Sequence, residues 1–248
     1  INWARIVAQV TYYFVAAVAL GAPNRRVRFS VPTGNFGDIF AGHVARKMGL
    51  PIDGLVIASN ENDILPRTLE SGTYEMRGVA ATTSPSMDIQ ISSNFERYLF
   101  EANGRDAGQI RAQMASLAQS VRFELGKAHQ TLQNDFLAGS ASETQVADII
   151  TDMKSKSGYL LEPHTACGVV AALANKPAPE IPTVVLATAH PAKFPEAIEQ
   201  ITGTRPPLPA HLAHLMSDEE RFAVLENAPD AIEEFVESHV RNAEKDLV

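Results

Sequence analysis

Two apolar runs, Val27–Val31 and Leu55–Ser59, enclose a glycine turn and a helix-periodic stretch, and that order leaves few folds open. A buried strand, a turn, a helix over Asp38–Met48 closed by Gly49, and a second buried strand make a β-loop-α-β unit of the parallel, doubly wound kind. The turn reads Thr33-Gly34-Asn35-Phe36-Gly37-Asp38. Between a strand and a helix N-terminus it gathers backbone N–H groups into one concavity, with the positive helix end behind them, which suits a phosphate. The competing reading is a tight turn that needs glycine for a positive φ. No Gly-Lys-Ser/Thr follows, and the spacing of Gly34 and Gly37 is not G-x-G-x-x-G, so the two commonest nucleotide loops are excluded. Asp38, in the first helical turn, complements the dipole.

Upstream, the apolar stretch Ile6–Leu20 is too short and too interrupted (Gln9, Thr11) for a membrane span, and its flanks suit no signal peptide. It is expected to be a core helix buried on most of its surface. Downstream, Asn60-Glu61-Asn62-Asp63 stands at the carboxyl end of the second strand, where open α/β sheets collect ligands. A helix is expected to start near Ser92–Arg97. The stretch 106–153 reads as mostly helical, with a capping box at Ser142 and Gln145. The β/α alternation returns at Tyr159-Leu160-Leu161, followed by a small-residue helix to about Asn175. Thr183–Thr188 is the clearest buried strand, and the Pro-rich stretch 205–209 leads to C-terminal helices, one opened by the pair Ser217 and Glu220.

The expected architecture is α/β: an open, mostly parallel twisted sheet with flanking helices, an inserted helical region and C-terminal helices. Its parts are residues 1–83 and 158–204 for the α/β core, 84–157 for the helical insertion and 205–248 for the C-terminal extension. The length of 248 residues suffices for a sizeable core. A formal net charge of −8 argues against nucleic acid or an anionic membrane as partner, while leaving a small anionic ligand open. The lone cysteine, Cys167, excludes an internal disulfide framework, fits a reducing compartment such as the cytoplasm, and speaks against a structural zinc site.

Three polar stretches follow strand ends: Thr33–Asp38, Asn60–Asp63 and Thr188–Lys193. One shared crevice is the economical reading. Within it Thr188 offers a hydroxyl or is simply a β-branched strand residue. His164 and His190, each beside a proline, are acid/base candidates or turn residues. Lys193, Arg5 and Arg97 suit carboxylate or phosphate, and equally suit surface or ion-pair roles.

Six ordered stretches together resemble the threonine synthase family: Ile1–Ile6, Val31–Asp38, Ser84–Ile89, Ser93–Arg97, Pro163–Ala166 and Thr188–Phe194. The resemblance covers essentially the whole chain. It implies a pyridoxal 5′-phosphate enzyme of fold type II, a carbon–oxygen lyase of threonine biosynthesis that turns O-phospho-L-homoserine and water into L-threonine and phosphate. It implies that Gly34, Asn35, Phe36, Gly37 and Asp38 cradle the cofactor's phosphate and that Thr188 meets the pyridine nitrogen. Arg5, Asn60, Asn94, Arg97 and Lys193 become candidates for gripping the substrate. In that family the Schiff-base lysine sits in a Phe-Lys-Asp context before Asn-Trp-Ala-Arg. None of Lys47, Lys127, Lys154, Lys156, Lys176, Lys193 and Lys245 has it. No catalytic residue is therefore assigned. The expectation is a carboxyl-terminal part, inactive alone, whose partner is the missing amino-terminal half. The alternatives are a fragment of another fold-type II enzyme, such as a serine or threonine dehydratase, or a non-catalytic phosphate-binding module.

Overall fold

In a computed structural model, residues 2–240 are described, and they fall into two units, Ile1–Pro207 and Leu208–Val248. The first unit begins with α1 (Trp3–Ala19), β1 (Val27–Pro32), α2 (Gly37–Lys47) and β2 (Ile52–Ser59). It continues through α3 (Ile64–Ser71), β3 (Thr73–Glu75), α4 (Phe95–Ala102), α5 (Ala107–Ser120), β4 (Arg122–Glu124), α6 (Ala128–Asp135), β5 (Leu137–Ser140) and α7 (Glu143–Ser157). It closes with α8 (Pro163–Ala174), β6 (Thr183–Val185) and α9 (Pro195–Thr202). The second unit carries a 3₁₀ turn at Ala210–Leu212 and α10 (Pro229–His239).

The main sheet has the order β5-β2-β1-β6 with every pairing parallel, so the fold is the α/β architecture that the sequence predicts. Its central strands are buried on both faces: Val27, Phe29 and Val31 line one face of β1 and Ser30 lies buried on the other, while Leu55 and Ile57 alternate with Val56 and Ala58 along β2. β6 is a correction. The run Thr183–Thr188 contributes only three residues to the sheet, half-buried throughout, because among the described residues β6 pairs with β1 alone. A second correction concerns Tyr159–Leu161, which forms no strand and runs directly into the cap of α8. The mainly helical stretch 84–157 also supplies β4 and the edge strand β5, which pairs with β2. Ser217 opens no helix either; its hydroxyl donates to the His214 carbonyl at 2.8 Å, and the next helix starts at Pro229.

α1 begins at Asn2, whose side-chain oxygen accepts from the Ala4 amide at 2.8 Å. Ile6, Val10, Tyr13 and Ala17 recur at helical spacing and form its buried stripe. The rest of the helix is not buried as the sequence suggests: Trp3, Val7, Tyr12, Val15 and Val18 are all exposed. A helix flanking a sheet covers it with one stripe, and among the described residues nothing lies on the other side. The Tyr13 ring packs on Phe29 with centroids 4.9 Å apart, and its hydroxyl donates to the Asp38 carbonyl at 2.8 Å. This stitches α1 to the start of α2.

Gly42 of α2 is the place where α1, α2 and β2 meet. A Cβ there would lie 2.6 Å from the Tyr13 ring and 2.9 Å from Leu55 Cδ2. Gly42→Ala is expected to lower stability by about 2 kcal/mol through overpacking, despite alanine's better helix propensity. A urea midpoint equal to or above that of the parent protein would refute this.

Candidate functional site

The carboxyl ends of β1 and β6 open onto a crevice of about 260 Å³. The loop after β1 forms one wall through Gly34, Asn35, Phe36, Gly37 and Asp38; His164, Thr188 and Lys193 lie on the others, with Arg5 of α1 beside them. Two of the three stretches expected to share a crevice therefore do so, and Thr188 reaches it from beyond the end of β6, exposed rather than ending a buried strand. The third stretch does not reach it.

The loop's geometry departs from the sequence reading in an instructive way. Neither Gly34 nor Gly37 has a positive φ; the left-handed residue is Phe36, at φ 66°. Its backbone cost is offset by ring burial against Phe95, Phe136 and Tyr98, at centroid distances of 5.1, 5.4 and 5.9 Å. The glycines serve close approach instead. A Cβ on Gly34 would sit 2.7 Å from the Ser86 carbonyl oxygen, and one on Gly37 would sit 3.0 Å from Asn35 Oδ1 and 3.3 Å from Asn94 Nδ2. Gly34 is thus pressed against the 3₁₀ turn Pro85–Met87.

Phe36 is also the N-cap residue of α2, and a phenyl ring cannot accept a hydrogen bond. The Gly37 N–H goes to Asn35 Oδ1 at 2.9 Å, while the N-cap residue Phe36 offers no side-chain acceptor to the amides that follow it. An α-helix whose first turn faces a cavity without a cap presents its amides and the positive end of its dipole to whatever enters.

Asp38 lies at that same end. Burial raises its carboxyl to about 6, partly countered by the Tyr13 hydroxyl, 3.2 Å from Oδ1. Opposite, His164 stands in the first turn of α8 rather than in a loop turn. Its Nδ1 is 2.7 Å from Glu162 Oε2. Glu162 caps the helix: Oε2 accepts from the His164 amide at 2.8 Å, and Oε1 from the Thr165 amide and hydroxyl, each at 2.6 Å. Burial acts to raise the Glu162 carboxyl, yet these donors and His164 together hold it below the usual carboxylate range. With Nδ1 engaged, His164 keeps only Nε2 for other contacts, and that atom is buried without a partner among the described residues.

The remaining candidates divide. Asn94 donates through Nδ2 to the Asn35 carbonyl at 3.2 Å and lines a smaller adjoining cavity with Arg5. Arg97 lies 5.5 Å over the Trp3 ring, with Nε donating to Asn94 Oδ1 at 3.2 Å, and faces a separate surface groove with Phe100 and Arg111. Asn60 is the correction: it is fully buried, its Nδ2 meets Asp88 Oδ1, Thr82 Oγ1 and Ser84 Oγ at 2.7, 2.8 and 2.9 Å, and it has no donor left for a guest. It fastens the end of β2 to the segment that carries the Pro85–Met87 turn, so it shapes the crevice from behind. His190 caps the turn Pro191–Lys193 through Nδ1, which accepts from the Ala192 amide. Glu162 escapes sequence reasoning because a Glu before Pro reads only as a helix start.

A family model described as "Threonine synthase, C-terminal" matches residues 165–236. The threonine synthase of Pseudomonas aeruginosa is 47% identical over 241 residues, which cover 96% of this chain and 51% of that protein. The crystal structure of pyridoxal-phosphate-bound threonine synthase from Brucella melitensis superposes with a TM-score of 0.90 at 58% identity, over 97% of this chain and 52% of the other. That of yeast threonine synthase gives 0.80 at 38% identity, over 89% and 48%. The chain spans about half the length of the curated relatives it matches. On these likenesses the chain belongs to the threonine synthase family.

Proposed function

We propose that this chain supplies the cofactor-phosphate site and part of the substrate site of a threonine synthase, acting in the cytoplasm on O-phospho-L-homoserine. The observation that carries the reading is the uncapped start of α2, pressed by Gly34 against the Pro85–Met87 turn and open to the crevice. Pyridoxal 5′-phosphate fits these residues. Its dianionic phosphate finds the backbone amides of the Gly34–Asp38 loop and the helix dipole, and the narrow approach at Gly34 leaves the loop wall free of side chain.

When bound, the pyridine ring draws electron density from the substrate's carbon skeleton. Thr188 offers that ring a neutral hydroxyl rather than a carboxylate, so the ring nitrogen gains no counter-charge from this residue, and control of the reaction falls more heavily on the groups around the substrate. Arg5 and Lys193 bring positive charge to the same crevice for the substrate's carboxylate and phosphate, Asn94 lines the adjoining cavity, and Arg97, in its separate groove, acts on it only through Asn94. No lysine of this chain stands in the motif context expected of the amine that bonds the cofactor's aldehyde. Chemistry on the aldehyde is thus assigned to the other half of the family's fold.

A preparation whose intact mass equals these 248 residues should release no phosphate from O-phospho-L-homoserine. The protein that also carries the missing half should form threonine and phosphate in equal amounts. Turnover by the chain alone overturns the division of labour. Ammonia and an oxo acid in place of threonine and phosphate overturn the substrate assignment and favour the dehydratase alternative.

A further inference from the structure

The buried pair Glu162–His164 is unused by the reading above, and its chemistry is specific. Glu162 is ionised and saturated: its two oxygens take four donors, among them His164 Nδ1 at 2.7 Å. Nδ1 therefore carries a proton, which leaves Nε2 as the ring's acceptor atom. His164 belongs to the crevice wall, is 4% exposed, and its Nε2 has no partner. A buried polar atom without a partner is costly and calls for an explanation.

The charged groups around the pair are few. Asp38, Lys193 and Arg5 share the crevice, Glu143 of the packed helix α7 acts on Cys167 alongside Glu162, the Phe194 ring lies 4.9 Å from the imidazole, and α8 itself contributes the uncharged Thr165 and Cys167 beside it. An imidazolium here has its counter-charge already in place in Glu162, so a proton on Nε2 creates no uncompensated buried charge. It does create a charge-assisted donor for an anion in the crevice.

We infer that His164, oriented by Glu162, is a positioning residue that takes a proton on Nε2 when a phosphomonoester enters the crevice, so that anion binding and proton uptake are coupled. The proton comes from solvent and lands on Nε2; the Nδ1 proton stays with Glu162, and no bond of the guest breaks. This rests on the crevice being the cofactor-phosphate site.

The probe is pyridoxine 5′-phosphate, whose alcohol bonds no lysine, at pH 8, where its phosphate is already a dianion. Calorimetry in buffers of differing ionisation enthalpy should show about one proton more taken up per bound molecule by the parent protein than by His164→Asn, a difference from which any proton released by the probe's own ring nitrogen cancels. His164→Asn should also bind about 10-fold more weakly. Glu162→Gln should behave likewise if it folds. Because Glu162 also caps α8, the parent protein gives a second test: binding should move the ¹⁵N resonance of His164 Nε2 from the bare to the protonated position. Asp38→Asn should keep the uptake. If instead Asp38→Asn abolishes it and His164→Asn does not, Asp38 is the acceptor and the inference falls. Equal proton uptake by the parent protein and His164→Asn, or an unmoved Nε2 resonance, also overturns it while leaving the phosphate site standing. Failure to bind the probe overturns the site itself, and this inference with it.

Discussion

Gly34→Ala will weaken binding of pyridoxine 5′-phosphate about 100-fold, a loss equivalent to one or two charge-assisted hydrogen bonds. The backbone conformation at Gly34 is one any residue adopts, so the effect is purely steric. The added methyl would stand 2.7 Å from the Ser86 carbonyl oxygen and 3.3 Å from Met87 Cα, both main-chain atoms that no rotamer change can clear. Nor is the opposing turn free to retreat. Asp88 Oδ1 is tied to Asn60, Asn62 and Thr82, and the Ser84 hydroxyl to Asn60. The loop itself must give way, and a displacement of a few tenths of an ångström misdirects every amide it presents. Gly78→Ala is the control, because a Cβ there meets nothing within 4 Å. Equal affinity in Gly34→Ala and Gly78→Ala, measured by calorimetry on variants with unchanged circular dichroism, would refute the assignment of the loop.

The loop also shows what a sequence exposes and what it hides. Strand, turn and helix are local, and their order alone pointed to the crevice that opens at the start of α2. The reason for the glycines is not local: the atoms that forbid a side chain at Gly34 belong to a turn some fifty residues later. The burden of positive φ fell to Phe36, which nothing in the turn's composition announces, because the aromatic cluster that holds its ring comes from α4 and the Phe136 segment. β6 illustrates the same limit. An apolar run reads alike in a central strand and in an edge strand, and only the neighbour list separates them. β5 is four residues inside a helical stretch, too short for any periodicity to declare itself. Asn60 was legible as a polar residue at a strand's carboxyl end, but its partners Thr82, Ser84 and Asp88 turn it inward. Sequence thus located the crevice by its local signals, and missed what depends on the segments that close around it.

Two groups whose ionisation burial displaces, half-buried Asp38 and buried His43, will give this protein opposing pH responses that largely hide each other. Asp38 has its carboxyl raised by burial to about 6, from 3.8. Between those values the folded state binds the extra proton, so stability falls as pH rises through the window and is greatest below it. His43 is the reverse. Burial lowers it to about 4 from 6.5; Asp135 and Glu101 work to raise it, Arg46 and Lys47 to lower it further. It lies 3.9 Å from Asp135, whose carboxylate is also engaged by Arg46 at 2.8 Å and by the Tyr98 hydroxyl at 2.9 Å. Its Nε2 is buried without a partner among the described residues, so an added proton has nowhere to be solvated. From about pH 4 to 6.5 the unfolded chain binds the extra proton and stability rises with pH. Each effect amounts to about 2–3 kcal/mol over its window, with opposite sign. Asp38→Asn should therefore unmask the histidine, its urea midpoint climbing steeply from pH 4.5 to 7. His43→Gln should unmask the aspartate, with a midpoint that declines over the same range. The parent protein should run between the two, and three parallel pH profiles would show that neither group carries the shift its surroundings impose.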